Sequence, residues 1–328
     1  MRVWLPTVRA GSGTDVFAER LAQGLRRHGC EVIVSWLKHG FELYPPAARL
    51  RPPAGTTLIH ANSWSAFAYT DHGLPTVATD HGFVHDPAFV RIKSRPQRIY
   101  HNLLIGRYVR ASLEGCTAVT AVSHYLARQM RPFCSRTVAV IPNWVDITQF
   151  KPSTRARRNG RLRVLYAGTR SFRKGFDVLR ALVAEEHPGI EFWCRSDFRN
   201  GLGHYRSDMK FFAKQSAVQM PALYAECDVV LMPSRYEGFG YVAAEAMACA
   251  RPVIGFDCGA LKEVCGEANA ELLAPLNDVP AIQEAIYAMA MDRSLVARYG
   301  EMGRQRVVEN YTEERAIASY IDVYERVL

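Results

Sequence analysis

The stretch SRYEGFGYVAAEAMACARPVIGFD, residues 234–257, contains two glutamates, Glu237 and Glu245, with seven residues between them. An apolar run predicts a buried strand just before it, and Glu245 lies in an otherwise apolar helix, where a carboxylate needs hydroxyl or basic partners. Gly238 and Gly240 leave backbone N–H groups for an anion at the start of that helix. Carboxylates can accept hydrogen bonds from hydroxyls, and N–H groups can bind phosphate. Together they suit a sugar nucleotide. The alternative is that Glu237 only favours the start of the helix and that Glu245 is a structural residue with a bonding partner.

A second segment, AGTRSFRKGFD at residues 167–177, also follows a predicted strand and leads into a helix. It brings Arg170, Arg173 and Lys174 together near Gly168. Cations next to a helix N-terminus form an anion site, because the unpaired N–H groups and the helix dipole act with them. The alternative is a solvated basic loop, but the position between a strand and a helix favours a function.

The segment GSGT, residues 11–14, opens the first predicted helix. Gly11 and Gly13 form a G-x-G pair, but the third glycine of a dinucleotide fingerprint is replaced by Val16. The pair therefore predicts only that backbone can approach a ligand here, because no Cβ intervenes.

The elements that position these loops alternate between short apolar runs and amphipathic runs along the whole chain. Parallel strands need crossover helices, so the alternation predicts an α/β protein with two doubly wound sheets. The polar, basic segment 151–160 interrupts the pattern and is the expected interdomain linker. Ligands of such folds bind where strands end and helices begin, which is where the loops above fall.

Composition limits the function further. The 328 residues suggest two domains, and 48% hydrophobic with 22% charged residues excludes a disordered chain. No apolar run reaches the length of a transmembrane helix or a secretory signal, so we expect a cytoplasmic protein. The eight cysteines show no C-x-x-C spacing, which argues against a zinc or redox site and for reduced, mostly buried thiols.

The net charge of +9 favours an anionic partner: nucleic acid, membrane or a phosphorylated small molecule. The basic residues are dispersed and no nucleic-acid recognition module is visible, so we expect no nucleic-acid partner. The segment 91–110 has six Lys or Arg and no acid, interleaved with apolar residues. It predicts a basic amphipathic helix that could contact an anionic membrane, or equally an ordinary helix with a solvated basic face.

The segment EGFGYVAAEAMACARPVIGFDCGALKEV resembles the E-x7-E signature of retaining GT-B glycosyltransferases of family 4. GSGTDVFAERLAQGLRRHGCEVIV, AVSHYLARQM, VIPNWVDITQF, AGTRSFRKGFDVL and YTEERAIASYIDVYERVL are similar to other family segments in the same order. The resemblance implies two Rossmann-like domains facing across a cleft. Residues 1–145 with 312–328 would form the acceptor domain and 146–311 the donor domain, with the terminal helix returning to the first.

The resemblance also implies roles for individual residues. Glu237 would contact hydroxyls of the donor sugar, Glu245 the ribose, and Lys174 with Arg170 or Arg173 the diphosphate. His81, in ATDHGF, matches the family's cleft histidine, although by itself it is more simply a satisfied loop histidine. The remaining residues of the implied donor site are Gly11, Gly13, Gly168, Gly238, Phe239, Gly240 and Tyr241.

The implied reaction moves a hexose from a nucleoside-diphosphate sugar to a glycan or lipid-linked acceptor of the cell envelope, with retention through same-face attack. No D-x-D motif is present, so the cations would replace a metal ion and we expect no cofactor. The sequence departs from the family where EFWCRSD lacks its usual glycines, which leaves the nucleobase open. A GT-B-like phosphorylase or epimerase, or a non-catalytic sugar-nucleotide-binding protein, remains an alternative.

Overall fold

A computed structural model describes the chain apart from residues 12, 154–159 and 217. The chain divides into two compact units, which are Met1–Asn143 with Glu313–Leu328 and Trp144–Thr312. Most of the predicted linker, residues 154–159, lies outside the described residues, and so does Ser12 of the glycine loop.

The described part of the first unit contains a six-stranded sheet in the order β2-β1-β3-β4-β5-β6, in which all neighbouring strands are parallel. Its strands are β1 Arg2–Val8, β2 Glu31–Leu37, β3 Leu58–Asn62, β4 Thr76–Asp80, β5 Ala118–Ala121 and β6 Val138–Val140. Its helices are α1 Gly13–Arg27, α2 Gly40–Leu43, α3 Pro87–Arg91, α4 Arg95–Tyr100, α5 Gly106–Gly115 and α6 His124–Met130, with α14 Glu313–Val327 from the end of the chain.

The described part of the second unit contains another six-stranded parallel sheet, in the order β12-β11-β10-β7-β8-β9. Its strands are β7 Leu162–Tyr166, β8 Ile190–Arg195, β9 Asp208–Phe212, β10 Val229–Met232, β11 Val253–Phe256 and β12 Leu273–Ala274. Its helices are α7 Phe176–Val183, α8 Met220–Glu226, α9 Tyr241–Ala248, α10 Leu261–Cys265, α11 Glu267–Ala270, α12 Val279–Met291 and α13 Arg293–Asn310. The two parallel sheets confirm the predicted fold class.

The terminal helix α14 packs on α1 of the first unit, as the resemblance implies. Gly24 permits this close approach, because a Cβ at that position would lie 2.5 Å from the Ile317 side chain. A buried hydrogen bond fixes the helix to the sheet: His60 of β3 contacts the Tyr324 hydroxyl at 2.5 Å, and its other ring nitrogen lies 2.7 Å from the hydroxyl of Thr79 in β4. Burial of these side chains favours a single position for α14 against the sheet.

The basic helix predicted within 91–110 is present from Arg95 onward but does not include Ile92–Ser94. Helix α3 ends at Arg91, and a new helix begins at Arg95 with the Ser94 side chain capping Gln97 N–H. The helix continues through a π turn, His101–Ile105, and α5 to Gly115. Lys93 is buried rather than solvated, and its ammonium donates to the Val84 carbonyl at 2.7 Å.

The Ser123 side chain caps α6 by accepting the Leu126 N–H at 3.1 Å. The expectation for the cysteines is confirmed. All eight cysteines are free thiols, and seven of them are buried. Among the described helices, none combines the length and the apolar character that crossing a bilayer requires.

Candidate functional site

The predicted donor residues of the second unit lie in the loops that follow two neighbouring strands, β7 and β10. The carboxyl ends of parallel strands meet at one edge of a sheet, so loops far apart in sequence become neighbours there. Gly175 brings them into contact: it has a φ of +70°, and a Cβ at this position would lie 2.0 Å from the Pro233 carbonyl oxygen. Only glycine allows both the conformation and the approach.

The central contact joins Lys174 to Glu237, with 2.5 Å between Nζ and Oε1. The exposed fractions of the two side chains are 16% and 7%, so the charges are largely shielded from water. Lys174 lies in a 3-10 turn, Phe172–Lys174, that the Ser171 side chain caps. The structure therefore brings together a cation and a carboxylate that are 63 residues apart.

Two opposing effects act on the pKa of Glu237. Burial raises it, but the charges of Lys174 and Arg173 and hydrogen bonds from Lys174 and Ser234 lower it, and the net result lies below the ordinary value. Glu237 is therefore an anion at neutral pH. It can accept hydrogen bonds from hydroxyl groups, while its positive neighbours can attract phosphate.

The structure distinguishes the two arginines that the sequence left equivalent. Arg173 lies beside the central pair: its Nη1 is 3.5 Å from the Tyr236 carbonyl oxygen, and its charge lowers the pKa of Glu237. Arg170 points elsewhere, with its guanidinium 5.7 Å from the Phe176 ring centre and against Gly201. A Cβ on Gly201 would lie 2.4 Å from Arg170 Cζ. Arg173 is thus the arginine placed near the carboxylate.

Tyr166 lies beneath the β7 loop and fixes its path. Its hydroxyl donates to the carbonyls of Thr169 at 2.8 Å and Lys174 at 3.1 Å. Gly168 permits the loop to pass over the ring, because a Cβ there would lie 2.7 Å from the Tyr166 hydroxyl oxygen. Sequence reasoning missed Tyr166 because it appears as one more apolar residue of a buried strand.

Helix α9 begins at Tyr241, four residues after Glu237, and Gly240 at its N-cap has a φ of +101°. Phe239 is 3% exposed and packs against the rings of Tyr241 and Tyr311, so its side chain belongs to the core. Glu245 is half-buried, and the Tyr224 hydroxyl lies 3.4 Å from its Oε2. This is the hydroxyl partner that a carboxylate on an apolar helix was expected to need.

The predicted residues of the first unit lie at the carboxyl ends of β1 and β4. Gly11 has a φ of +67°, and its N–H donates to the Asp15 carboxylate at 2.8 Å, while Ala10 N–H donates to the same group at 3.0 Å. Gly13 is the first residue of α1. The loop is therefore stabilised by Asp15, a residue that the sequence analysis did not single out.

His81 packs edge-on against Phe17, with 4.4 Å between ring centres. The two side chains, with His60, line a cavity of about 30 Å³ in the first unit. Burial lowers the pKa of His81 to about 3 and also that of His60 to about 3, so both imidazoles are neutral at physiological pH. His81 can donate or accept a hydrogen bond but carries no charge.

Among the described residues, no three His, Cys, Asp or Glu side chains are grouped so that they could hold a metal ion. The cations of the site are Lys174 and Arg173. What this arrangement can do chemically is hold an anion beside a carboxylate that accepts hydrogen bonds from hydroxyls.

Family models match both halves of the chain: "Glycosyltransferase Family 4" over residues 37–149 and "Glycosyl transferases group 1" over residues 161–292. N-acetyl-alpha-D-glucosaminyl L-malate synthase of Bacillus anthracis is 26% identical over 244 residues, which cover 68% of this chain and 63% of that enzyme. Glycogen synthase of Mycobacterium tuberculosis is 24% identical over 57% of this chain and 48% of its own length. The alignments thus span less than two thirds of these curated relatives.

Solved structures with the GT-B fold superpose on the whole chain. Sucrose-phosphate synthase from Thermosynechococcus elongatus gives a TM-score of 0.81 at 20% identity, covering 99% of this chain and 98% of that one. HepE from Anabaena, solved in complex with UDP and glucose, gives 0.76 at 17% identity, covering 99% and 100%. At these identities the likeness establishes the fold.

Proposed function

Because the chain belongs to the family 4 glycosyltransferases with the GT-B fold, we propose that it transfers a hexose from a nucleoside-diphosphate sugar, with retention of anomeric configuration, to a glycan or lipid-linked acceptor of the cell envelope. The observation that carries the proposal is the buried contact of Lys174 with Glu237 at the carboxyl edge of the second sheet. A diphosphate needs a cation, and the hydroxyls of a hexose need a hydrogen-bond acceptor. The two groups must be adjacent, because the diphosphate and the hexose are joined in the donor.

We assign the roles within the second unit from this geometry and from the resemblance: the choice between the two arginines rests on the geometry, and the roles of Glu245, Gly238 and Gly240 rest on the resemblance. Lys174 and Arg173 bind the diphosphate, and Arg170 does not. Glu237 accepts hydrogen bonds from hydroxyls of the sugar, and Glu245 from those of the ribose. Gly238 and Gly240 keep the backbone at the start of α9 close to the phosphates. For the first unit, the roles of Gly11, Gly13 and His81 stay predictions of the resemblance.

The reaction breaks the bond between the anomeric carbon and the diphosphate oxygen, and the departing group gains negative charge. Fixed cations in a site shielded from water stabilise such charge without reorganisation. Lys174 and Arg173 would take this role in place of a divalent metal ion. Same-face attack then lets a diphosphate oxygen accept the proton of the acceptor hydroxyl, which preserves the configuration.

A thermal-shift screen of UDP-, GDP- and ADP-sugars tests the proposal. A ligand that binds only the folded state raises its stability by about 2.7 kcal/mol at one hundred times its Kd, which corresponds to a rise in Tm of about 5 °C or more for units of this size. We expect one nucleotide class to produce this shift in the wild type and to lose it in Lys174→Ala. No shift with any donor would contradict the proposal, and phosphate-dependent cleavage of the donor would indicate a phosphorylase.

The proposed lipid-linked acceptor is supported by an exposed apolar surface on the first unit. Ile99 and Leu103 are 59% and 63% exposed, and Leu43 and Tyr44 are 63% and 56% exposed. The two segments adjoin, because the Tyr100 hydroxyl donates to the Leu43 carbonyl at 2.5 Å. Three exposed arginines lie on the same helical segment as Ile99 and Leu103, namely Arg95, Arg98 and Arg107. This combination suits an anionic membrane.

We expect the protein to sediment with vesicles that contain anionic lipid and to be released by salt, because each arginine near the surface contributes about 1 kcal/mol. Ile99→Gln with Leu103→Gln should reduce binding by about tenfold or more, since the apolar insertion is lost. Met291→Gln is the matched control, because Met291 is 88% exposed on the second unit. Equal binding of neutral and anionic vesicles, or of the double variant and the wild type, would refute the membrane surface.

A further inference from the structure

A buried arginine next to the proposed donor site is assigned neither to the diphosphate nor to the hydroxyls of the donor. Arg235 is 7% exposed and lies two residues before Glu237. Its guanidinium forms a bidentate pair with Asp177, with Nη1 and Nη2 at 2.8 and 2.7 Å from the carboxylate oxygens. It also covers the Phe172 ring, 3.9 Å from its centre. With these partners, the Arg235 guanidinium is bonded within the unit itself.

The partners of Arg235 come from two other segments of the second unit, the loop and helix start that follow β7 and the loop that follows β12. Nη1 donates to the Phe172 carbonyl at 2.8 Å, and the backbone N–H of Arg235 donates to the Arg173 carbonyl at 2.8 Å. Nε donates to Oδ1 of Asn277, which lies before α12 with a φ of +69°, at 2.7 Å. One side chain thus links the loops that follow β7, β10 and β12.

We infer that Arg235, with Asp177, is a positioning residue that holds the turn carrying Arg173 and Lys174 in register with Glu237 for binding a diphosphate. The inference rests on the proposed function. Two carbonyls of the turn, those of Phe172 and Arg173, are held by this one residue, and Asp177 fixes the first turn of α7 directly after it. Groups that bind charge act best when such partners hold them in place before the ligand arrives.

The chemistry requires arginine at this position. A planar guanidinium offers a fork of two N–H groups to one carboxylate and further donors in the same plane. Lysine keeps the positive charge but cannot bond Asp177 through two parallel contacts while also reaching Phe172 and Asn277. Arg235→Lys therefore removes the bidentate contact with Asp177 and retains the positive charge.

A ligand-free experiment tests whether Arg235 holds the turn. The N–H groups of Lys174, Gly175 and Phe176 are bonded to carbonyls of Ser171 and Phe172 at 3.1–3.2 Å. We expect hydrogen exchange of the peptide covering residues 171–176 to become about tenfold faster in Arg235→Lys, since local opening sets exchange. Asp177→Asn should act in the same direction and is the milder change, because the Asp177 side chain is 46% exposed.

A binding experiment tests the consequence. With the nucleoside diphosphate that the wild type binds best among UDP, GDP and ADP, we expect Arg235→Lys to weaken affinity by about tenfold or more, and affinity for the corresponding nucleoside to change by less than about twofold. A merely structural role would lower both equally. The matched control is Arg293→Lys, because Arg293 pairs with buried Asp228 at 2.9 Å just before β10, at the opposite edge of the same sheet.

The outcomes separate the two proposals. A wild type that binds no nucleoside diphosphate refutes the proposed function. The hydrogen-exchange experiment would then still test whether Arg235 holds the turn of residues 171–176 in place. Unchanged exchange over residues 171–176 in both variants overturns the inference. Faster exchange with unchanged diphosphate affinity, or a loss of affinity matched by Arg293→Lys, also overturns it, because Arg235 would then be structural only.

Discussion

Glu237→Gln is expected to lower the rate of sugar transfer by about a thousandfold, since removing one fixed electrostatic partner of a transition state costs about this much. The amide has the same shape but no charge: its oxygen can still accept from Lys174, but its NH2 group replaces one of the two acceptor oxygens of the carboxylate. The measurement is initial-rate transfer with the donor that the screen selects, at saturating and at limiting concentrations.

The matched control for this change is Glu191→Gln. Glu191 is a glutamate of β8 in the same unit, and its carboxylate accepts from Trp193 Nε1 at 2.5 Å rather than from Lys174. We expect this variant to keep its transfer rate within about twofold, as is typical of changes away from the reacting groups. Full activity of Glu237→Gln would remove Glu237 from the site.

Lys174→Met has the second large expected effect, and it concerns both activity and stability. Loss of the ammonium removes charge stabilisation of the departing diphosphate, and kcat/KM should fall by about a hundredfold or more. It also leaves the buried Glu237 carboxylate without its main partner, which costs about 3 kcal/mol of unfolding free energy at neutral pH. Denaturant unfolding and donor kinetics measure the two effects.

The double variant Lys174→Met with Glu237→Gln separates these effects. Removing both charges leaves no unpaired buried carboxylate, so most of the stability should return while transfer stays abolished.

The pH dependence of the stability of Lys174→Met has a definite sign. In Lys174→Met burial raises the pKa of Glu237 again, so the variant should lose stability relative to the wild type as pH rises through the carboxyl range. Equal pH profiles for Lys174→Met and wild type would contradict the pairing.

The fold could be predicted because its signals are local. Continuous apolar runs such as Val229–Met232 followed by apolar helices specify buried parallel strands with crossovers. Strand β9, Asp208–Phe212, was missed because it is an edge strand whose charged residues interrupt the apolar run. The break in the helix at Ile92–Ser94 was missed for another reason. Lys93 appears as one more surface charge, and only the fold shows that its ammonium reaches the Val84 carbonyl.

The candidate site could be predicted as a set of residues but not as an arrangement. Nothing in the sequence of the loop 167–175 distinguishes Arg170 from Arg173. Which of them lies near Glu237 depends on a capped 3-10 turn and on the close approach of Gly175 to Pro233. Arg235 was passed over because its partners, Asp177 and Asn277, lie 58 residues before it and 42 after it. Side chains that position others give no signal in the sequence, since their contacts are made by the tertiary structure.

The most direct test of the account is a crystal structure of the protein with the nucleoside-diphosphate sugar that the thermal screen selects. We expect Lys174 and Arg173 to lie within about 3 Å of diphosphate oxygens, Glu245 to accept from ribose hydroxyls, and Glu237 to accept from a hexose hydroxyl. A donor bound away from the carboxyl ends of β7 and β10, or a diphosphate held by Arg170 with Lys174 uninvolved, would contradict it.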